Sequence, residues 1–256
     1  MTSIHERSRI AFRTRNEHGT GTPVVFVHGA GGNKTTWLSL TRELAKRWPD
    51  RPLHLVDLPG HGDAPGPGRS LVEDYASDFR KFLEDVCGRP SDLVGHSMGG
   101  AIVLTLALDA PHLVRRVAVV GSGYRLAFNR QMIEAFESDF SLAMSFLRDI
   151  GFASVSDPAE MEAMMAGFMA CDPQVALGDF RACADYDIKD RIASLVPPLA
   201  VNFGSADLLT DERRNLALAL AVPGAIHHRF EGAGHMLMVE RTAELAARLA
   251  EFLDAA

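Results

Sequence analysis

The chain has 256 residues, 47% of them apolar, with 26 Lys and Arg against 33 Asp and Glu for a formal charge of −7. That length suits a single α/β domain, and the apolar share is enough for a sizeable core. The acidic balance excludes the clustered cationic surface that nucleic-acid binding needs. Residues 1–10 hold no apolar run of the signal-peptide kind, and the longest apolar stretches, such as 101–108, are too short to span a bilayer. Cys87, Cys171 and Cys183 are odd in number and lack metal-site spacing, so free thiols in a reducing compartment are expected. The expectation is a cytoplasmic protein acting on a small molecule, without nucleic-acid or membrane partners; oligomeric state is not encoded in these totals.

In chain order, short β-branched runs alternate with longer helix-like stretches, the pattern of a mostly parallel sheet covered by helices. Strands are predicted at residues 10–15, 24–28, 53–57, 92–95, 117–121, 199–204 and 227–230. The runs at 24–27 and 117–120 are continuously apolar, as for strands buried on both faces. Helices are predicted at 35–47, at 70–86 behind a Ser70 to Glu73 capping box, at 97–109, at 211–221 with Thr210 as N-cap, and at 242–253. Residues 60–69 form a Gly/Pro-rich loop. Between Tyr124 and Arg191 no strand is predicted; helices at 129–150 and 158–169 are, and Ile133, Phe136, Phe140, Met144 and Leu147 fall at helical spacing on the first. An all-helical block set between strands reads as a lid over the sheet.

Gly95-His-Ser-Met-Gly99 matches G-x-S-x-G between a predicted strand and a predicted helix. A nucleophile there sits on a strained turn, with a helix N-terminus behind it, and a side chain at 95 or 99 would collide with its neighbours. Just past the apolar 24–27 run stands His28-Gly-Ala-Gly-Gly32. Acyl transfer needs two backbone donors for the developing oxyanion, and Ala30 N–H and Met98 N–H are the candidates. Lys34 and Thr35 resemble the end of a phosphate-binding loop, but that motif needs glycines where His28 and Asn33 stand.

A serine needs a base, and the base an orienting acid. His235 lies in a Gly-rich loop after the last predicted strand; His227 and His228 read as strand residues, and His96 is expected to point away from Ser97 across the turn. Asp207 follows the 199–204 strand, whereas Asp211 reads as a first-turn helix carboxylate. The loop Ser122-Gly-Tyr124 offers no acid. Each residue alone has an ordinary explanation. Ser97, Asp207 and His235 together follow the order Ser, Asp, His, each beyond the C-terminal end of a strand.

On these motifs, and on Asp57-Leu-Pro-Gly-His-Gly62, the chain resembles the α/β-hydrolase superfamily over nearly its whole length. The resemblance implies an α/β-hydrolase fold: a mostly parallel, eight-stranded sheet flanked by helices, with a helical lid inserted after the sixth strand. It divides the chain into a core (1–123 and 192–256) and a helical cap (124–191). It implies a catalytic triad of Ser97, Asp207 and His235, an oxyanion hole of Ala30 and Met98, and no metal or organic cofactor. Asp63-Ala-Pro65 departs from the small residue and Ser that often follow Gly-His-Gly in related sequences. Ser97 argues against dehalogenases and epoxide hydrolases, which use Asp, and ring-cleavage C–C hydrolases often have Asn where His96 stands.

The expected activity is hydrolysis of an ester or lactone of a small, largely apolar substrate through an acyl-enzyme. C–C hydrolases, cofactor-free lyases and perhydrolases on the same triad are alternatives, as is a non-enzymatic receptor; a cyanohydrin-type lyase would want a lid lysine, and Lys189 is the sole one there. The lid holds Met132, Met144, Met161, Met164, Met165 and Met169, six of the ten methionines. These soft side chains suit either packing or an adaptable pocket, and Met132, Met144 and Met165 are the pocket candidates, with Trp37. Arg125, Arg130, Arg148 and Arg181 either face solvent or grip a substrate carboxylate.

Overall fold

The computed structural model describes residues 1–126, 128, 130–153 and 158–255. Its strands are β1 Ser3–His5, β2 Ile10–Arg15, β3 Val24–Val27, β4 Leu53–Asp57, β5 Ser91–His96, β6 Val114–Val120, β7 Leu199–Gly204 and β8 Ile226–Phe230. They form one sheet in the order β1-β2-β4-β3-β5-β6-β7-β8. β1 and β2 pair antiparallel with each other and β2 with β4; the remaining pairs are parallel. Seven strands stand within a few residues of where the apolar runs put them. The eighth, β1, is three largely exposed edge residues without an apolar alternation to reveal it.

Ten α-helices occur among the described residues: α1 Leu38–Arg47, α2 Val72–Phe82, α3 Met98–Asp109, α4 Arg130–Ser138, α5 Phe140–Gly151, α6 Pro158–Met169, α7 Pro173–Asp185, α8 Glu212–Ala221, α9 Leu237–Glu240 and α10 Thr242–Asp254. Strand alternation divides the core between the two faces of the sheet. Val25, Val27, Val117 and Val119 pack with α2, α3 and α8 on one face. Val24, Phe26, Ala118 and Val120 pack with α1, α9 and α10 on the other. α3 is buried from Met98 through Ala107, which fits a helix apolar on every side.

Three local expectations are corrected. The Ser70–Glu73 box does not cap α2: Leu71 is the N-cap, with no side-chain bond. Arg69 instead ties the start of the helix down, its N–H donating to Tyr75 Oη at 2.8 Å and its guanidinium pairing with Asp78. α8 is capped by Asp211, which accepts from Arg214 N–H, because the Thr210 hydroxyl is engaged by Asp207. The helix expected at 129–150 divides into α4 and α5 at Asp139, whose extended backbone and side-chain bond to Leu142 N–H start a new helix; position 129 lies outside the described residues. Two further helices are the short α9 and α7, and α7 has Asp172 as cap and Pro173 at its first position, a start signal that residue type alone carries. α4 to α7 all fall between β6 and β7. No helix among the described residues is long and apolar enough to cross a membrane.

Candidate active site

β5 ends at His96 and α3 begins at Met98, so Ser97 makes the whole turn, with φ 51° and ψ −116°. Such a backbone is strained for a non-glycine residue and persists only because its surroundings fix it. Ser97 N–H donates to the Val120 carbonyl at 3.0 Å, and Ser122 Oγ donates to the Ser97 carbonyl at 2.9 Å. A Cβ on Gly99 would run into the carbonyl oxygens of Val27 and His28, so only glycine lets α3 pass this close to β3.

His235 Nδ1 lies 2.8 Å from Asp207 Oδ2, and both side chains are buried. The Asp207 carboxylate also accepts from Leu209 N–H and Thr210 N–H, each at 2.8 Å, and from Thr210 Oγ1 at 2.9 Å. Burial opposes its charge, but His235 and the Thr210 donors outweigh that and hold the carboxyl below its ordinary pKa. The loop after β6 brings no acid, as expected, and its glycine makes room for the pair: a Cβ on Gly121 (φ 55°) would lie 3.0 Å from His235 Nδ1.

His96 has a role that the sequence does not reveal: its ring packs on that of His235 with centroids 4.6 Å apart, and its Nε2 lies 3.2 Å from the His235 carbonyl, so it supports the imidazole. The contact spans 139 positions in sequence, because the loop after β8 folds back over the end of β5, and no local pattern reveals it.

The loop after β3 is held by its own histidine. His28 Nε2 accepts from Leu58 N–H at 3.1 Å, so its proton is on Nδ1, which donates to the Gly29 carbonyl at 2.8 Å. Neither Ala30 N–H nor Met98 N–H has a hydrogen-bond partner among the described residues.

Ser97, Ala30, His96, Thr210 and His235 open on one cavity. Met144, Met165, Met236, Phe128, Phe168 and Phe180 are among its apolar walls, and no charged Lys, Arg, Asp or Glu lines it among the described residues. Met144 and Met165 are therefore at the site. Trp37 and Met132 are not: Trp37 is fully buried beneath it against Phe26 and His96, and Met132 lines an outer groove between α4 and α5. Arg125 pairs with Asp187, Arg148 with Asp149 and Arg181 with Glu137 on the surface; the Arg130 side chain lies outside the described ones. Lys34, the phosphate-loop mimic, pairs with Asp57 and Asp63. The described residues include no cluster of three or more His, Cys, Asp or Glu suited to a metal.

Burial has a consequence for acid stability. It pushes His28 down to about 3, helped by His61, and His54 down to about 4. The unfolded chain therefore takes up these protons first, near 6.5, and stability falls as the pH drops from there through the folded values. Urea midpoints are expected to decrease between pH 7 and pH 5, each histidine contributing about 1.4 kcal/mol per pH unit. His54→Gln should flatten that slope, and a midpoint indifferent to pH would contradict the burial argument.

A strained serine elbow, a buried Asp–His pair and a mostly parallel eight-stranded sheet define a hydrolase of the α/β class. Residues 24–248 match the model of the alpha/beta hydrolase family, and the chain belongs to that family. It is 28% identical to 2-hydroxymuconate semialdehyde hydrolase of Pseudomonas sp. (strain CF600), over 93% of this chain and 89% of that protein. It is 24% identical to the pimeloyl-[acyl-carrier protein] methyl ester esterase of Aliivibrio salmonicida, over 92% of this chain and 94% of that one. The enol-lactonase of Burkholderia xenovorans LB400 superposes with a TM-score of 0.89 at 19% identity, covering 99% of this chain and 100% of the other. That likeness speaks for the fold.

Proposed function

We propose that this hydrolase cleaves a carboxylic ester or lactone of a small, largely apolar substrate through an acyl-enzyme on Ser97. Ser97 Oγ attacks the carbonyl carbon while its proton passes to His235 Nε2. Asp207, bonded to Nδ1, fixes the tautomer and stabilises the imidazolium. Ala30 N–H and Met98 N–H stabilise the oxyanion. The C–O bond to the alcohol then breaks, and His235 returns the proton to the departing oxygen. Water, deprotonated by His235, attacks the acyl carbon and releases the acid and Ser97. Residues 124–191 act as a cap on a core of 1–123 and 192–256, contributing Met144 and Met165 to the acyl pocket.

The observation that carries this reading is the bond from His235 Nδ1 to Asp207, on an imidazole that shares an apolar cavity with the strained Ser97. A C–C hydrolase is the second reading, favoured by the relative that acts on 2-hydroxymuconate semialdehyde. A muconate carries a carboxylate, the described residues lining the cavity include no Lys or Arg to pair with it, and burying one unpaired is costly. The test is a substrate panel. Neutral esters and lactones are expected to exceed carboxylate-bearing dienoates by about 100-fold in kcat/KM. Cleavage of a dienoate C–C bond without turnover of any ester or lactone would reverse the assignment.

A further inference from the structure

Asp179, on α7 in the inserted helices, is fully buried, and its carboxylate gathers three donors from the core. Oδ2 accepts from Gly31 N–H at 2.8 Å and lies 2.8 Å from His61 Nε2. Oδ1 accepts from the Tyr75 hydroxyl at 2.6 Å. His61 Nδ1 meets the Pro59 carbonyl at 3.2 Å, so both ring nitrogens face acceptors and the ring is an imidazolium paired with Asp179. An acceptor-only group with four lone-pair sites suits this junction; an amide, with one oxygen and an NH2, does not.

The junction sits one residue from Ala30. The Gly29 carbonyl accepts from His28 Nδ1–H and, at 3.1 Å, from Gly32 N–H. A peptide unit is planar and trans, so fixing that carbonyl directs Ala30 N–H the opposite way. The next peptide unit is fixed by Asp179 through Gly31 N–H. Gly31 has φ 64°, which glycine adopts as readily as negative values, so sterics alone do not select it and the bond to Asp179 does. The loop is thus clamped on one side by its own residues and on the other by a side chain 148 positions away.

We infer that Asp179 is a positioning residue for the oxyanion hole: seated from the inserted helices, it holds Gly31 N–H and so keeps Ala30 N–H in register with Ser97. This rests on the reading of Ser97 as the nucleophile of an ester hydrolase. It makes the cap a part of the catalytic geometry as well as a wall of the pocket.

The test compares two ligands of one carbon skeleton, a trifluoromethyl ketone and its corresponding alcohol. The ketone forms an oxyanion-bearing adduct with the serine, whereas the alcohol only fills the apolar pocket. For Asp179→Ala the ketone inhibition constant is expected to rise about 100-fold and for Asp179→Asn about 10-fold, with the alcohol constant within about two-fold in both. kcat should fall with the ketone affinity while KM stays nearly constant. Equal weakening of both ligands would make Asp179 a packing residue only, and unchanged ketone binding would remove the inference altogether. If Asp179→Ala fails to fold in urea titration, the same ratio measured on Asp179→Asn alone decides between these outcomes. A wild-type enzyme that binds ketone and alcohol alike would instead overturn the serine reading on which this depends.

Discussion

Replacing Ser97 with alanine is expected to lower kcat on an ester substrate by about 10⁴-fold or more, with little change in stability. The loss is large because, among the described residues that line the cavity, the other hydroxyl is Thr210 Oγ1, which donates to Asp207. If Ala30 N–H and Met98 N–H form the proposed oxyanion hole, the residual rate is that of water attacking a carbonyl they still polarise. Alanine inherits the positive φ of Ser97, so the strain of the turn is carried over rather than relieved. Thermal melting of the variant beside the wild type separates chemistry from folding, and a variant retaining a tenth of the activity would exclude Ser97 as nucleophile.

Asp207→Asn is expected to cost almost as much, up to about 10⁴-fold in kcat. Oδ2 now receives His235 Nδ1–H. An asparagine NH2 in that place donates instead, forces the proton onto Nε2, and leaves the imidazole unable to accept one from Ser97. Asp211 lies four positions on, yet its carboxylate caps α8 through Arg214 N–H and pairs with the Arg214 guanidinium at the surface. Asp211→Asn should therefore leave kcat unchanged and cost at most about 1 kcal/mol of stability, since asparagine also caps. Both variants assayed on one substrate decide the matter. A near-wild-type Asp207→Asn enzyme would move the orienting role elsewhere.

Much of the frame is legible in the sequence because its signals are local. Val24 to Val27 and Val117 to Val120 are continuously apolar, as strands between two helical layers must be, and both are central strands. Gly95 and Gly99 mark the elbow because sterics at one tight turn leave no alternative. Asp207 and His235 are readable from chain order and loop position, and their side chains lie within hydrogen-bond reach. What stays hidden depends on distant contacts. Thr210 has the residue type of a helix cap, but its hydroxyl turns to Asp207, leaving Asp211 to cap α8. His96 and Asp179 meet their partners 139 and 118 positions away. Residue type and proximity put Trp37 and Met132 in the pocket, yet residue type does not say which side of a helix faces the cavity.

Whether Ser97 is the activated nucleophile is read by labelling with a fluorophosphonate, followed by peptide mapping. An activated serine beside two N–H donors attacks such a phosphorus centre and expels fluoride, leaving a stable adduct. One adduct per chain is predicted, on the peptide holding Ser97, and none on Ser97→Ala. An adduct on another residue, or equal labelling of the Ser97→Ala variant, would contradict the assignment.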